Sequence, residues 1–123
     1  DNWINAGTGI SSVAYTFVIS RTYARVELTL QRSNKEENKW IFDRLLQERT
    51  AIEAEFGDEL IWERLDEQKG SRIKYQLDDV NVFNEDDWET MIEFLVDAMV
   101  RLERAFKKPL SEVRKELGKG NDI

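Results

Sequence analysis

The chain has 123 residues, with 18 Lys or Arg against 25 Asp or Glu and a formal net charge of −7. That length suits one domain burying roughly two thirds of its unfolded surface, and 41% hydrophobic with 11% aromatic content fits a packed globule. Having no Cys and no His, it excludes a disulfide framework, a thiolate nucleophile, a Cys/His zinc site and imidazole acid–base catalysis.

An acidic domain repels a phosphate backbone unless its cations are segregated into a patch. No apolar run reaches membrane-spanning length and nothing resembles a signal peptide, so a cytoplasmic protein is expected. The first residue is Asp1 rather than Met, which suggests a piece of something longer.

Asp1–Gly9 turns through Gly7 and Gly9 and is expected to be a flexible lead-in to the first strand. Its Gly-Thr-Gly lacks the lysine and the further glycine of a phosphate loop. Val13–Ser20 and Tyr23–Gln31 are β-rich and joined around Ser20-Arg21-Thr22, which predicts a hairpin. In the second run Ala24, Val26, Leu28 and Leu30 alternate with Tyr23, Arg25, Glu27 and Thr29. Period two with one apolar face marks a strand exposed on one side.

Ser33-Asn34-Lys35-Glu36 reads as a capping box opening a helix that runs to Phe56, with Gly57 as its left-handed terminator. The buried stripe is expected at Ile41 or Phe42, Leu45, Ile52 and Phe56, with Glu48, Arg49, Glu53 and Glu55 on the solvated side. Leu60–Leu65 and Ser71–Leu77 predict a second hairpin through Asp66–Gly70, with Ile73, Tyr75 and Leu77 inward and Arg72, Lys74 and Gln76 outward. Val80, Val82 and Phe83 should fold over the core edge.

The stretch Asn84–Phe106 organises the rest. Trp88, Ile92, Leu95, Met99, Leu102 and Phe106 recur at spacings of four and three, which places them on one side of a helix. Met91, Phe94 and Ala98 widen the stripe enough to lie across a sheet. Asn84 caps the start, and Pro109 is expected to stop the run. Pro109–Leu117 then forms a short extra turn or helix, and 118–123 is a frayed tail. The expectation is therefore a single α+β domain over residues 1–117. Its order is β-β-α-β-β-α: a four-stranded antiparallel sheet of two hairpins, with two long helices on one face.

Chemistry-bearing residues are sparse. The outer sheet face would display Arg25, Glu27, Thr29, Arg72, Lys74 and Gln76, either as solubilising ion pairs or as a binding face. Lys107, Lys108, Arg114 and Lys115, interrupted by Glu112 and Glu116, are the candidates for nucleic-acid contact. Glu67-Gln68-Lys69 matches the Glu-x-Lys of a PD-(D/E)XK nuclease but falls in a predicted turn, as chance allows in a chain this rich in Glu and Lys. Trp3, Trp40, Trp62 and Trp88 read as core rather than as a base-stacking platform, and Trp88→Ala should then cost about 3–5 kcal/mol.

The strings YTFVISRTYARVEL, EENKWIFDRLLQERTAIEAEFGDELIWERLD, SRIKY and EDDWETMIEFLVDAMVRLERAF resemble a bacterial and archaeal domain family of unknown function. The likeness covers roughly Trp3 to Leu110. It is specific in the Arg25–Glu27 strand, at Asn38-Lys39 and in Trp62–Leu65. Members occur alone or as the C-terminal part of longer proteins, some after a PD-(D/E)XK nuclease-like domain. The resemblance implies an accessory domain of a nuclease-, restriction- or other defence-related protein. Together with the missing catalytic residue types and the fragment-like start, it leads to the expectation of a non-catalytic interaction domain; no cofactor is expected. Partner docking or self-association would use the sheet, and the partner would be protein, itself or a fused domain. Nucleic-acid contact through the basic tail with Arg25, Arg72 and Lys74 is the second reading, and a carboxylate-held metal nuclease the third.

Overall fold

Alternation along two hairpins sets the frame. The computed structural model describes the backbone of residues 2–121 and the side chains of residues 7–118. Strands β1 (Asn2–Gly7), β2 (Val13–Ile19) and β3 (Tyr23–Leu30) are followed by helices α1 (Lys35–Leu46) and α2 (Arg49–Phe56). Strands β4 (Ile61–Glu63) and β5 (Ser71–Asp78), one 3-10 turn and the long helix α3 (Trp88–Asn121) complete the chain. The four expected strands form an open antiparallel sheet, and β1 adds to its edge, in the order β1-β2-β3-β5-β4. Residues 2–7 are thus an antiparallel strand paired residue by residue with β2, not a loose lead-in. Sequence alone missed it because its mixed polar and small residues carry no alternation; the exposed edge of β2 supplies the pairing.

Apolar alternation points the way expected. Ala24, Val26, Leu28, Leu30 and Ile73 are fully buried against Ile41, Leu45, Ile52, Phe56 and Leu102 of the helices. Tyr75 meets Phe56 edge-on at 4.8 Å and stacks on Phe94 at 5.7 Å. Trp62 meets Phe42 edge-on at 6.0 Å. The helices therefore share one face of the sheet.

Four expectations about the helices need correction. The first cap is Asn34, whose side chain accepts from Glu37 N–H at 3.1 Å, one residue later than Ser33. Glu37 is then drawn to Arg32 at 2.7 Å instead of back to the cap. The helix to Phe56 is broken at Gln47-Glu48 into α1 and α2, with nothing in the local sequence dictating the break. Gly57 does end α2 in the left-handed conformation, at φ 94°.

Pro109 lies inside α3 and does not stop it. A mid-helix proline costs about 3 kcal/mol by removing one hydrogen bond and crowding the carbonyl one turn back. Leu110 and Val113, 3% and 0% exposed, continue the buried stripe past it, and each contributes about 1.5–3 kcal/mol on burial. Tertiary burial outweighs the local penalty. Residues 118–121 of the expected frayed tail continue the backbone of α3, and 122–123 lie outside the described residues.

The buried stripe of α3 is also rotated from the one the spacing suggested. Met91, Leu95, Ala98, Leu102, Ala105, Phe106 and Leu110 are buried, whereas Trp88 and Ile92 are 46% and 60% exposed. Trp88 instead donates its indole N–H to the Val82 carbonyl at 2.7 Å, so the large Trp88→Ala cost no longer follows. Trp40 is exposed as well, and the side chain of Trp3 lies outside the described residues. Phe83 is exposed under the Arg21 guanidinium, while Val80 is buried at the core edge as expected.

Candidate functional site

The outer face of the sheet brings together the residues that alternation pointed outward. In register, Thr16, Glu27, Lys74 and Ile61 form one row across β2-β3-β5-β4. Thr29 lies opposite Arg72, which lies opposite Glu63, and Arg25 lies opposite Gln76. All six candidate face residues are therefore neighbours.

Their charges interlock. Arg25 Nε lies 3.4 Å from Glu27 Oε2, Arg72 Nε lies 3.9 Å from the same oxygen, and Lys74 Nζ lies 3.4 Å from Glu63 Oε1. Arg72 also hydrogen-bonds Glu63 directly. Burial pushes the Glu63 carboxyl up, but the Arg72 hydrogen bond and the Arg72 and Lys74 charges prevail and hold it below its ordinary value. Thr29 donates to Thr16 at 2.9 Å, and Gln76 donates to Asp78 at 2.7 Å.

Glu27 is only 5% exposed although it points away from the helices. Arg25 Nε, Glu27 Oε2 and Gln76 Oε1 are buried and complete no hydrogen bond among the described residues. Three cations (Arg25, Arg72, Lys74) against two carboxylates (Glu27, Glu63) leave this patch at +1 within a chain of −7. Chemically it can hold a polar or anionic group. It carries no Cys or His, and no cluster of three or more metal-ligating side chains occurs among the described residues. Glu67, Gln68 and Lys69 are exposed in the β4–β5 turn, away from any strand.

A second polar centre escaped the sequence reading. Lys39, 7% exposed on α1, donates to the carbonyls of Arg64 (2.6 Å), Leu65 (2.9 Å) and Gly70 (2.6 Å) and to Ser71 Oγ (2.9 Å). Beside it, fully buried Asn38 bonds the carbonyls of Arg32 and Lys69 at 3.0 Å each and accepts from Arg32 N–H at 2.9 Å. Together they clamp the β4–β5 turn, including Leu65 at φ 55°, a left-handed backbone that costs a bulky residue roughly 1–2 kcal/mol. A signal existed: Asn38 falls one helical turn before Ile41 and Phe42, where the stripe calls for an apolar residue. Glu53, placed on the solvated side, instead accepts from Leu60 N–H at 2.7 Å and from Trp62 Nε1 at 3.2 Å.

Residues 1–110 match the model of DUF4268, a domain of unknown function. The chain belongs to that family. No curated protein and no solved structure matches it. The DUF4268 match contains both polar centres and ends just past Pro109, inside α3.

Beyond the match, α3 carries two of the four basic candidates. Lys107, Lys108, Arg114 and Lys115 are all exposed. The acids that interrupt them are turned to the body: Glu112 and Glu116 pair with Arg44 of α1 at 3.5 and 3.0 Å. The spacing of seven puts Lys107 and Arg114 on one line of the helix and Lys108 and Lys115 on another. They do not converge with the outer sheet face into one site.

Proposed function

We propose that this DUF4268 chain is a non-catalytic interaction module, an accessory domain of a larger nuclease- or defence-related cytoplasmic protein. One observation carries the reading. Trp88, Ile92, Val96 and Val100, at 46%, 60%, 57% and 58% exposure, form a single i, i+4 ridge along α3. A row of large apolar side chains left in water is the mark of a surface that meets another.

An i±4 ridge packs against a second helix at about −50°, not as a coiled coil. A second copy in antiparallel sense would set Glu85, Asp86, Glu89 and Glu93 near the partner's basic end, and a parallel one would set acid against acid. The ridge thus supports self-association better than the sheet does. Of the two edge strands, β4 is three residues long, too short to template a strongly paired partner strand, and β1 is six.

Sedimentation equilibrium from micromolar to millimolar protein tests this. A reversible dimer is expected, and Val96→Glu should return it to monomer with stability changed by less than about 0.5 kcal/mol. A wild-type monomer throughout would end the self-association reading and leave only docking to a different protein.

The second reading, nucleic-acid contact, is favoured by Glu112 and Glu116 being occupied by Arg44 while the four cations face outward. Fluorescence anisotropy with duplex and single-stranded DNA should then show affinity falling steeply with salt, and no binding near roughly 50 mM salt removes it. No helix is long and apolar enough to cross a membrane among the described residues.

A further inference from the structure

The helices lie on one side of the sheet, yet the centre of its other side is also withdrawn from water. There Glu27 is 5% exposed, with the Arg25 and Lys74 side chains at 12% and 13% beside it. Three buried atoms complete no hydrogen bond among the described residues: Arg25 Nε, Glu27 Oε2 and Gln76 Oε1. Arg25 and Gln76 are register partners on β3 and β5, and Glu27 lies two residues along β3 from Arg25. The three side chains therefore stem from points about 5–7 Å apart. Buried polar groups ordinarily carry a partner, and three orphans in one place point to a ligand that supplies it.

Their chemistry says what that ligand carries. Glu27 Oε2 can only accept, and Arg25 Nε can only donate. Gln76 already gives its amide nitrogen to Asp78 at 2.7 Å, which leaves Oε1 as an acceptor. The complement is two N–H donors beside one carbonyl oxygen. On their pairing edges adenine offers a single donor, while cytosine and uracil offer one donor between two acceptors. Guanine alone among the standard bases has N1–H and an exocyclic amine beside O6. A primary carboxamide has the same count, but on two atoms too close together to reach three such side chains.

The surroundings suit a nucleotide. Arg25 and Arg72 make their ion pairs through Nε, so the terminal guanidinium nitrogens face outward unpaired. With Lys74 they give this patch a positive balance in a chain of −7. Tyr23, its ring 5.0 Å from the Arg25 guanidinium, adds an aromatic face on the same side of β3. Arg25 is the nearest cation to Glu27 Oε2, 3.4 Å away without a hydrogen bond, so rotating this one side chain opens the carboxylate.

We propose that the outer face binds a guanine base carrying a phosphate. Glu27 accepts from N1–H, Gln76 accepts from the exocyclic amine, the Arg25 guanidinium turns out to donate to O6, and Arg72 with Lys74 meets the phosphate.

The test is amide chemical-shift titration of the ¹⁵N-labelled chain with guanosine, inosine, adenosine, guanosine monophosphate and inorganic phosphate. Guanosine should shift the amides of Arg25, Glu27 and Gln76 in a saturable way. Inosine, which lacks the exocyclic amine, should bind roughly tenfold more weakly, and adenosine should not bind. The monophosphate should bind more tightly than guanosine, by a margin that shrinks with salt. Glu27→Gln separates base from phosphate: guanosine binding should fall at least about tenfold, while inorganic phosphate binding rises. Gln76→Leu should narrow the gap between guanosine and inosine with the thermal midpoint unchanged. A UGU trinucleotide that outcompetes the monophosphate assigns the base to single-stranded RNA, and the reverse order assigns it to a free nucleotide; the guanine site stands either way. Val96→Glu, across the sheet, should leave guanosine binding unchanged even where it abolishes self-association, so the two readings fail separately. Absence of shifts at millimolar guanosine, equal binding of adenosine, or undiminished guanosine binding by Glu27→Gln would each overturn the assignment.

Discussion

Lys39 and Glu27 are both charged, both nearly withdrawn from water, and handled in opposite ways. Lys39 aims its ammonium at four oxygens between 2.6 and 2.9 Å. Glu27 is approached by two guanidinium nitrogens only loosely, at 3.4 and 3.9 Å, and one of its oxygens completes no hydrogen bond. The first is an anchor: short directed bonds set the conformation of a loop, and none of the donors is left over. The second is a loosely held charge on an otherwise uncovered face, where partners can exchange at small cost. Burial alone therefore does not separate structural charge from available charge. The completeness of the hydrogen bonding does.

The sharpest way to break the comparison is at the anchor. Lys39→Met removes four hydrogen bonds from a charged donor, leaving the Gly70 carbonyl without a donor while Arg64 O keeps Ser71 Oγ and Leu65 O keeps Gln68 N–H, and should cost about 3–5 kcal/mol in denaturant unfolding. A loss below about 1 kcal/mol would mean that water replaces the ammonium and the clamp is incidental. Asn38→Ala removes three hydrogen bonds from a fully buried site and should cost about 2–3 kcal/mol by the same measurement.

Glu53 tests an intermediate case through pH. Desolvation pushes its carboxyl up, but the bonds from Leu60 N–H, Trp62 Nε1 and Arg49 outweigh that and hold it below the ordinary 4.5. A carboxyl depressed in the folded state contributes stability that is present above its unfolded pKa and lost as pH falls through the folded one. Stability should thus decline below pH 4.5, and Glu53→Gln should flatten part of that decline in thermal melts run across the acid range. An unchanged profile would show that the carboxylate's bonds are no stronger than water's.

The smallest effect is expected at Glu27. Glu27→Gln keeps the shape and removes a charge that completes few bonds, so stability should change by less than about 1 kcal/mol. The patch would then rise from +1 to +2, and weak sulfate or phosphate binding at Arg25 and Arg72, followed by amide shifts, should strengthen. A large destabilisation would put Glu27 in the same class as Lys39.

The outer face was legible because a strand's period of two leaves no choice: once Val26 and Leu28 are buried, Arg25, Glu27 and Thr29 must share the other side. Lys39 was not, because a polar residue inside an amphipathic helix reads as surface until a distant turn supplies oxygens for it. Trp88 misled for a related reason. At 100° per residue, a stripe that includes Trp88 and Ile92 fits the spacing nearly as well as one that includes Met91 and Ala98, and only the seat on the sheet chooses between them.

By itself, the sequence determined the elements whose signals are local and periodic: both hairpins, the outward row of charges, the Gly57 stop and the amphipathic character of the long helix. Local rules reach a few residues, so they set what a segment prefers. The tertiary structure alone decided that β1 joins the edge of β2, that α3 runs through Pro109, and which side of α3 is buried. It also decided that Lys39 is held by the β4–β5 turn while a Glu27 oxygen on the outer face completes no hydrogen bond. Each depends on contacts between segments far apart in the chain, whose burial and hydrogen-bond energies exceed the local preferences they override.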